Sequence, residues 1–216
     1  MVILGKISGM TARQKKLIQG CCIFNIFIIL GYARDGKGIY IMNYAEIKEC
    51  DVANGPGVRV SLFVSGCTHH CKECFNPETW DFNYGKPFTG STEDKIINYL
   101  KPDYIKGLTL LGGEPMEHCN QQGLLPLLRK VKEIYPEKTV WCFTGYDFEK
   151  DVTGRMVNEW EETKELLSYI DVMVDGEFMA DQKDLGLVFK GSSNQRTIMV
   201  QESITSGKIV YWDENN

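Results

Sequence analysis

The stretch GLTLLGGEPMEHCNQQGLLPLLRKVKEIYPEKTVWCFT, residues 107–144, contains the pattern that decides the fold. Its first five residues form an apolar run that ends at paired glycines, which predicts a buried strand. Leucine, valine and isoleucine then recur at helical spacing through 121–135 and predict an amphipathic helix. The run TVWCFT at 139–144 predicts a second strand. A strand, a helix and a strand in this order indicate a βαβ unit, whose two strands lie parallel in one sheet.

The same alternation extends in both directions from this unit. Further strands are predicted at 43–49, 58–65, 170–174, 196–201 and 208–212, and further helices at 92–100 and 155–168. A complete barrel of eight strand–helix units takes about 250 residues, and residues 42–216 are too few for it. We therefore expect an α/β fold in the form of an incomplete (β/α) barrel, with parallel strands inside and helices outside.

The composition is that of a globular protein, with 43% hydrophobic and 25% charged residues. The net charge of −5 is unevenly distributed, because residues 1–41 hold six basic residues and one acidic residue and leave the rest of the chain strongly acidic. Nucleic-acid binding requires Lys and Arg to neutralise phosphates. We therefore expect no nucleic-acid partner, whereas a protein partner is compatible with this charge.

Residues 1–41 differ from the rest of the chain in charge and hydropathy. CCIFNIFIIL at 21–30 is an apolar run, but a membrane-spanning helix takes about 20 residues. Three interpretations are open: a start site assigned too far upstream, a membrane-associating leader, or a structural extension of the fold. We expect the first, with Met42 as the true beginning, 1–41 as a non-native or disordered extension, 42–216 as a single domain, and no membrane partner.

Three of the eight cysteines lie in one short loop after a predicted strand, GCTHHCKECFN at 66–76. Cys67, Cys71 and Cys74 have the spacing C-x3-C-x2-C. Three thiolates on a tight loop can hold one face of a [4Fe–4S] cluster. Because such clusters usually have four cysteine ligands, one iron is left open to a small molecule. The spacing leaves two alternatives open, a Cys3His zinc site completed by His69 or His70, and unliganded thiols.

The other cysteines do not form a second cluster in the sequence. Cys50, Cys119 and Cys142 stand alone in apolar or strand contexts and are interpreted as small buried hydrophobic residues. A secreted disulfide scaffold would be shorter and would distribute its cysteines along the chain. We therefore expect a reducing, cytoplasmic location.

The cysteine loop resembles the signature of the radical S-adenosylmethionine superfamily. GGEP at 112–115, one strand–helix unit later, resembles a second motif of the same superfamily. The resemblance implies two cofactors, a [4Fe–4S] cluster on Cys67, Cys71 and Cys74, and S-adenosyl-L-methionine bound at its open iron. It further implies that one electron from the reduced cluster splits S-adenosylmethionine into methionine and a 5′-deoxyadenosyl radical.

The resemblance also assigns residues to S-adenosylmethionine. Gly112 and Gly113 allow the backbone to approach the ligand closely. The Glu114 carboxylate, or the backbone beside it, is expected to accept hydrogen bonds from the ligand's ammonium group. On their own, these residues would be interpreted as a turn that ends a strand.

The chain departs from the superfamily pattern next to the third cysteine. Many members have an aromatic residue just before it, whereas this chain has Glu73 there and its aromatic residue, Phe75, just after. We expect the backbone around Glu73, Cys74 and Phe75 to flank the adenine of S-adenosylmethionine.

Five further stretches resemble one branch, the anaerobic ribonucleoside-triphosphate reductase activating proteins. They are MNY at 42–44, NGPGVRVSLFVSGC at 54–67, FTGY at 143–146, VDGEF at 174–178 and GSSNQR at 191–196. This resemblance implies that the radical removes a hydrogen atom from a glycine of the reductase and leaves a glycyl radical there. It implies the reductase and a low-potential electron donor such as flavodoxin as partners, and it allows a homodimer.

Two charged residues in these stretches have both a structural and a functional interpretation. Asp175 either caps a turn at a strand end or contacts S-adenosylmethionine or the incoming reductase loop. Arg196 is either a surface charge or holds a carboxylate in bidentate fashion. The resemblance favours counting both among the residues that bind the cofactor.

Two other functions compete with reductase activation. In the same chemical class, the chain would activate another glycyl-radical enzyme such as pyruvate formate-lyase. In a different class, it would be a non-catalytic zinc-binding interaction protein. Iron content distinguishes the zinc-binding protein from the two activating enzymes. The identity of the protein that acquires a glycyl radical distinguishes the two activating enzymes from each other.

Overall fold

The computed structural model describes residues 42–213, so the expectations for residues 1–41 lie outside the described part of the chain. The strands are β1 (Asn43–Asp51), β2 (Val58–Val64), β3 (Lys86–Pro87), β4 (Ile105–Gly112), β5 (Thr139–Phe143), β6 (Val172–Asp175) and β7 (Arg196–Met199). They form one seven-stranded sheet in the order β3-β1-β2-β4-β5-β6-β7. The sheet is not closed, because β3 and β7 lie at its two ends.

Helices follow most of the strands. Within residues 42–213 the α-helices are α1 (Gly90–Leu100), α2 (His118–Ile134), α3 (Val157–Glu159), α4 (Glu161–Tyr169) and α5 (Val200–Ser206). A π-helical segment, Phe148–Met156, leads into α3, and 3-10 turns lie at Pro77–Trp80 and Ala180–Gln182. In this described part, no helix is both long enough and apolar enough to cross a membrane.

The four central strands, β2, β4, β5 and β6, are parallel, as the alternation of strands and helices predicts. The prediction of parallel strands is wrong at both ends of the sheet, where β1, β3 and β7 pair antiparallel to their neighbours. The connections explain the difference. Residues 52–57 join β1 to β2 in a short turn, whereas parallel neighbours need a crossover of a dozen or more residues. Residues 176–195, between β6 and β7, contain no crossover helix.

The C-terminal elements also differ from the sequence prediction. The strand predicted at 196–201 ends at Met199, and the chain turns into α5. The strand predicted at 208–212 is reduced to a segment that hydrogen-bonds along β7, where Met199 N donates to Val210 O at 2.8 Å and Trp212 N to Thr197 O at 2.9 Å. Helix α5 reverses the chain direction, so this segment covers the outer edge of β7.

The helix predicted at 155–168 is interrupted. Its first residues belong to the π-helical segment, and Trp160 has an extended backbone between α3 and α4. The interruption changes the direction of the chain before α4 begins. The amphipathic pattern therefore predicted the apolar face of this helical region but not its interruption at Trp160.

The two faces of the sheet carry different side chains because alternate residues of a strand point to opposite sides. On β2, Val60, Leu62 and Val64 are buried in the main apolar core, which includes the inner faces of the helices. Phe63 alternates with them and lines a cavity on the other side of the sheet. We call this second side the cavity face.

A buried arginine joins three strands on the cavity face. Arg59 is 0% exposed, and its guanidinium donates to Thr109 Oγ1 at 2.7 Å, Thr139 Oγ1 at 3.0 Å and the Leu108 carbonyl at 2.9 Å. Burial lowers the pKa of Arg59 to about 10. Because all these acceptors are neutral, the side chain is held by hydrogen bonds that connect β2, β4 and β5.

Leu128→Ala should lower the free energy of unfolding by about 2–5 kcal/mol, because truncation of a buried leucine leaves a cavity. Leu128 in α2 is 0% exposed, whereas Leu185 is 89% exposed. Leu185→Ala therefore makes the same chemical change with an expected effect of about 0.5 kcal/mol or less. Urea denaturation followed by circular dichroism measures both values. Similar losses for the two variants would contradict the packing of α2 on the sheet.

Candidate functional site

The carboxyl ends of β2, β4, β5 and β6 meet at one edge of the sheet, and ligands of open α/β sheets bind at this edge. The loops that follow these strands lie around a cavity of about 420 Å³, a volume typical of small-molecule sites. Of the residues predicted to act in the site, seven line this cavity: Cys67, Cys71, Cys74, Phe75, Gly112, Gly113 and Glu114. The other three, Glu73, Asp175 and Arg196, are not part of its wall.

The cysteine loop follows β2 without regular secondary structure as far as the turn at Pro77–Trp80. Cys67 is buried, whereas Cys71 and Cys74 are half-buried. Left-handed residues shape the loop, with φ of 54° at His70 and 58° at Glu73. Such a backbone is uncommon outside glycine, and it allows Cys74 N to donate to Cys71 O at 3.2 Å. The three sulfurs therefore face one cavity from a tightly turned loop.

Backbone N–H groups lie near the sulfur of each of the three cysteines. The Cys67 sulfur faces the N–H groups of His69 and His70, and the Cys71 sulfur faces that of Phe178. Asn76 N donates to Cys74 Sγ at 3.4 Å. Hydrogen bonds of this kind to cysteine sulfur are typical of iron–sulfur sites. The donor set therefore fits a cluster held by three cysteines.

Without a metal, the same environment keeps the thiols of Cys67 and Cys71 protonated. Burial and the nearby Glu114 carboxylate raise the pKa of Cys67 to about 12. Burial and the Glu177 carboxylate raise the pKa of Cys71 to about 11. Because metals bind thiolates, binding must displace these protons.

The glycine turn packs directly on the cysteine loop. A Cβ atom at Gly113 would lie 2.6 Å from the Gly66 carbonyl oxygen, and Gly112 has a left-handed φ of 104°. The two loops are also hydrogen-bonded, since Glu114 N donates to Gly66 O at 2.8 Å and Gly113 N to Val64 O at 2.8 Å. A side chain at position 113 would therefore displace the cysteine loop itself. The contact between Gly113 and S-adenosylmethionine stays a prediction.

The Glu114 carboxylate is 1% exposed and is engaged by the protein on both oxygens. Oε1 accepts from Met116 N and from Thr144 Oγ1, both at 2.8 Å. Oε2 accepts from Gly145 N at 2.8 Å and lies 3.1 Å from His69 Nε2. The carboxylate thus connects the glycine turn to the cysteine loop and to the loop after β5. Its expected contact with a ligand ammonium group stays a prediction, with the adjacent backbone as the alternative.

The two histidines of the cysteine loop contact protein groups. The His69 ring lies 4.4 Å from the Tyr146 ring. Burial alone would lower the pKa of His69, but the hydrogen bond and negative charge of Glu114 outweigh it and raise the pKa above its ordinary value. His70 stacks on Trp80 at 4.7 Å. The zinc alternative requires one of these histidines as a fourth ligand, and both rings are engaged by protein groups. In residues 42–213 no group of three or more His, Cys, Asp or Glu side chains, the three loop cysteines included, is arranged around a single metal ion.

The residues beside Cys74 differ in position. Glu73 is exposed and closes the turn with its left-handed backbone. Phe75 is 58% exposed, its ring lies 5.0 Å from that of Phe178, and both residues line the cavity. An adenine position beside these residues stays a prediction.

Asp175 and Arg196 pair with each other. Arg196 Nε donates to Asp175 Oδ1 at 3.0 Å, and its Nη2 donates to Asp175 Oδ2. Asp175 Oδ2 also accepts from Phe148 N at 2.8 Å, and Arg196 reaches Glu149 Oε2 at 2.8 Å. Arg196 thus holds a carboxylate in bidentate fashion, that of Asp175. The contact of either residue with a ligand stays a prediction.

Gln195, from the stretch GSSNQR, lines the cavity and fastens the loop 176–195 at its base. Its Oε1 accepts from Gly191 N at 2.8 Å and from Ser192 N at 3.2 Å, and its Nε2 donates to Gly176 O at 2.9 Å. Both ends of this loop are therefore held together beside Phe178, whose N–H faces Cys71.

Sequence reasoning missed two polar residues at the start of α2. Asn120 is 1% exposed, and its Nδ2 lies 3.0 Å from Ser65 O, 3.4 Å from Gly66 O and 2.9 Å from Glu114 O. Glu117 is 8% exposed and accepts from Thr68. Residues three apart share a helix face. Both residues precede the helix predicted at 121–135, whereas the helix begins at His118. Continuing the helical spacing of Leu124 and Leu128 back by one turn places Asn120 on the buried face, and this was the available signal.

Comparisons with known proteins show the family of the chain. Residues 53–198 match the family described as "4Fe-4S single cluster domain". The chain is 45% identical over 157 residues to the anaerobic ribonucleoside-triphosphate reductase-activating protein of Vibrio cholerae, covering 71% of this chain and 96% of that relative. The identically named protein of Haemophilus influenzae is 44% identical over 156 residues, with 71% and 96% covered. That of Enterobacteria phage T4 is 41% identical over 157 residues, with 72% and 92% covered.

Asn120→Ala should lower the free energy of unfolding of the metal-free chain by about 1–3 kcal/mol, because buried carbonyl groups lose their donor. Asn120→Asp should cost more, since a carboxylate oxygen would then face three carbonyl oxygens. Asn98→Ala, at an exposed position of α1, is the matched control. Chemical denaturation under anaerobic conditions measures all three. A loss for Asn120→Ala no greater than that of the control would contradict the role of this amide.

Proposed function

The chain belongs to the family of anaerobic ribonucleoside-triphosphate reductase-activating proteins and contains a 4Fe-4S single cluster domain, and from this premise we propose that it is a radical S-adenosylmethionine enzyme. In this proposal, it cleaves S-adenosylmethionine reductively and generates a glycyl radical on an anaerobic ribonucleoside-triphosphate reductase. One observation carries the proposal: Cys67, Cys71 and Cys74 line a single cavity together with the glycine turn at Gly112 and Gly113.

Cys67, Cys71 and Cys74 are the proposed ligands of the cluster. They are on one loop, they face one cavity, and each sulfur lies near a backbone N–H group. When bound, the cluster supplies one electron, which breaks the bond between C5′ and the sulfonium sulfur of S-adenosylmethionine and yields methionine and a 5′-deoxyadenosyl radical. Three cysteine ligands in place of the usual four leave one iron for the amino and carboxylate groups of the methionine part.

The remaining cavity wall is proposed to bind and orient S-adenosylmethionine. The backbone at Gly112 and Gly113 lines the cavity without side chains and can approach the methionine part closely. Phe75 and Phe178 form an apolar pair in the cavity wall, which suits a planar adenine. Leu111 and Phe143 line the cavity on the sheet side. Such apolar surfaces limit the access of water to a reactive radical.

The open sheet supports the proposal of an incomplete radical S-adenosylmethionine barrel. The strands at its two ends, β3 and β7, are not paired with each other, so within residues 42–213 no strand pairing closes the cavity face from the side. A protein substrate must bring a backbone glycine to the 5′-deoxyadenosyl radical, and a sealed barrel would not admit it. The hydrogen atom moves from the glycine Cα to C5′, which gives 5′-deoxyadenosine and the glycyl radical.

The proposed partners follow from this reaction. The reductase is the substrate, and a low-potential donor such as flavodoxin supplies the electron to the cluster. The thiols of Cys50, Cys67, Cys71, Cys74 and Cys142 form no disulfide, which fits a reducing compartment, and we propose the cytoplasm. A homodimer is compatible with the proposal and is not required by it.

Replacement of Cys67, Cys71 or Cys74 by alanine should abolish retention of a [4Fe–4S] cluster after anaerobic reconstitution, because each residue supplies one of three thiolates. Cys50→Ala and Cys119→Ala are controls with the same chemical change outside the cavity wall. Iron and sulfide analysis, together with the visible absorbance of the cluster, measures the result. A variant lacking all three loop cysteines that still holds four irons per chain would exclude this site.

The function is tested by anaerobic reaction of the reduced, reconstituted full chain with S-adenosylmethionine. Adding an anaerobic ribonucleoside-triphosphate reductase should give 5′-deoxyadenosine and an electron paramagnetic resonance signal of a glycyl radical. The control is a reductase in which the acceptor glycine is replaced by alanine, which should give no such signal. A radical formed on pyruvate formate-lyase and not on the reductase would contradict the proposed partner. Absence of 5′-deoxyadenosine with either protein would contradict the chemistry.

A further inference from the structure

Glu117 is a buried carboxylate directed at the cysteine loop. It lies between the glycine turn and α2 and is 8% exposed. Its Oε1 accepts from the Thr68 backbone N–H at 3.1 Å, from the Thr68 hydroxyl, and from Tyr146 OH at 3.2 Å. Within residues 42–213, no Lys, Arg or His pairs with it in a salt bridge. These contacts connect three different loops through one oxygen atom.

Thr68 connects the start of the cysteine loop to Glu117. It follows Cys67 directly and precedes His69 and His70, whose N–H groups face the Cys67 sulfur. The His69 ring packs on Tyr146 at 4.4 Å, and His70 has a left-handed φ of 54°. Its amide and its hydroxyl both donate to Glu117, which fixes the backbone at Thr68 relative to the start of α2. The two N–H groups that lie near the Cys67 sulfur follow directly on this fixed point.

This arrangement has a consequence for electron transfer. Hydrogen bonds to cysteine sulfur favour the more negative state of an iron–sulfur cluster and so raise its reduction potential. We propose that Glu117 is a positioning residue that acts through Thr68 to hold the N–H groups of the loop against the Cys67 sulfur, and thereby sets the reduction potential of the cluster. This inference rests on the proposed function, which assigns the cluster to Cys67, Cys71 and Cys74.

The charge of Glu117 has an opposite effect on the potential, because a nearby negative charge disfavours the reduced state. Glu117→Gln removes this charge and keeps an amide oxygen that can accept from Thr68 and Tyr146. Glu117→Ala removes both the charge and the acceptor. The difference between these two neutral variants therefore isolates the hydrogen bonds. Glu133→Ala, at an exposed position of the same helix, is the control for substitution in α2.

The first measurement uses the metal-free full chain and does not depend on the cluster. Hydrogen exchange at the amides of Thr68, His69 and His70 should be about tenfold faster in Glu117→Ala than in the parent, the scale of a lost hydrogen bond to a charged group. Glu117→Gln and Glu133→Ala should exchange near the parental rate. Thr68→Ala, which loses only the hydroxyl donor, should give a smaller increase and serves as a second variant should Glu117→Ala fail to fold.

The second measurement is the midpoint potential of the reconstituted cluster, read by anaerobic titration with electron paramagnetic resonance. Glu117→Ala should have a lower potential than Glu117→Gln, and Glu133→Ala should match the parent. Equal exchange rates in Glu117→Ala and Glu117→Gln overturn the proposal, and so do equal potentials. If no cluster forms even on the parent chain, the proposed function fails, while the exchange data still decide whether Glu117 holds the loop.

Discussion

The contact between two backbones, at Gly66 in the cysteine loop and Gly113 in the glycine turn, is the constraint on which the rest of the site depends. Only glycine fits at position 113, because a Cβ there would lie 2.6 Å from the Gly66 carbonyl oxygen. The parallel pairing of β2 with β4 brings the two loops together, and the Asn120 amide joins their carbonyl groups. The proposed cluster ligands and the proposed ligand-binding backbone are therefore positioned as one rigid unit.

Two buried carboxylates, Glu114 and Glu117, contact this unit, and hydrogen bonds offset the free-energy cost of burying their charges. A buried charge is costly unless it is paired or fully hydrogen-bonded. Glu114 receives backbone, hydroxyl and imidazole donors, and Glu117 receives an amide and two hydroxyl groups. The donors come from the loops after β2, β4 and β5. Burial and then the charge of Glu114 raise the pKa of Cys67, whereas the hydrogen bond and charge of Glu114, with a contribution from Glu117, raise that of His69 against the effect of burial. The network that fixes the loop therefore also affects its electrostatics.

The centre of the fold could be predicted from the sequence, and its edges could not. Alternating apolar strands and amphipathic helices predict the four parallel strands, because a crossover helix has apolar residues at helical spacing and this spacing is visible in the sequence. The antiparallel pairing of β1 depends on the short turn at 52–57, and that of β7 on a loop without a crossover helix. Strand β7 ends at Met199 because α5 reverses the chain, although the apolar run continues past this residue.

The sequence by itself determined which groups this protein has at the site: three cysteines at fixed spacing on a loop after a strand, and two glycines where the next parallel strand ends. Local spacing suffices for this, because the loop and the turn are each a few residues long. Only the tertiary structure decided the partners of charged groups. It paired Asp175 with Arg196, engaged the Glu114 carboxylate within the protein, and placed Glu117 and Asn120 against the cysteine loop. These partners lie on different strands and loops, and their distances depend on how the sheet brings those loops together, which no local pattern records.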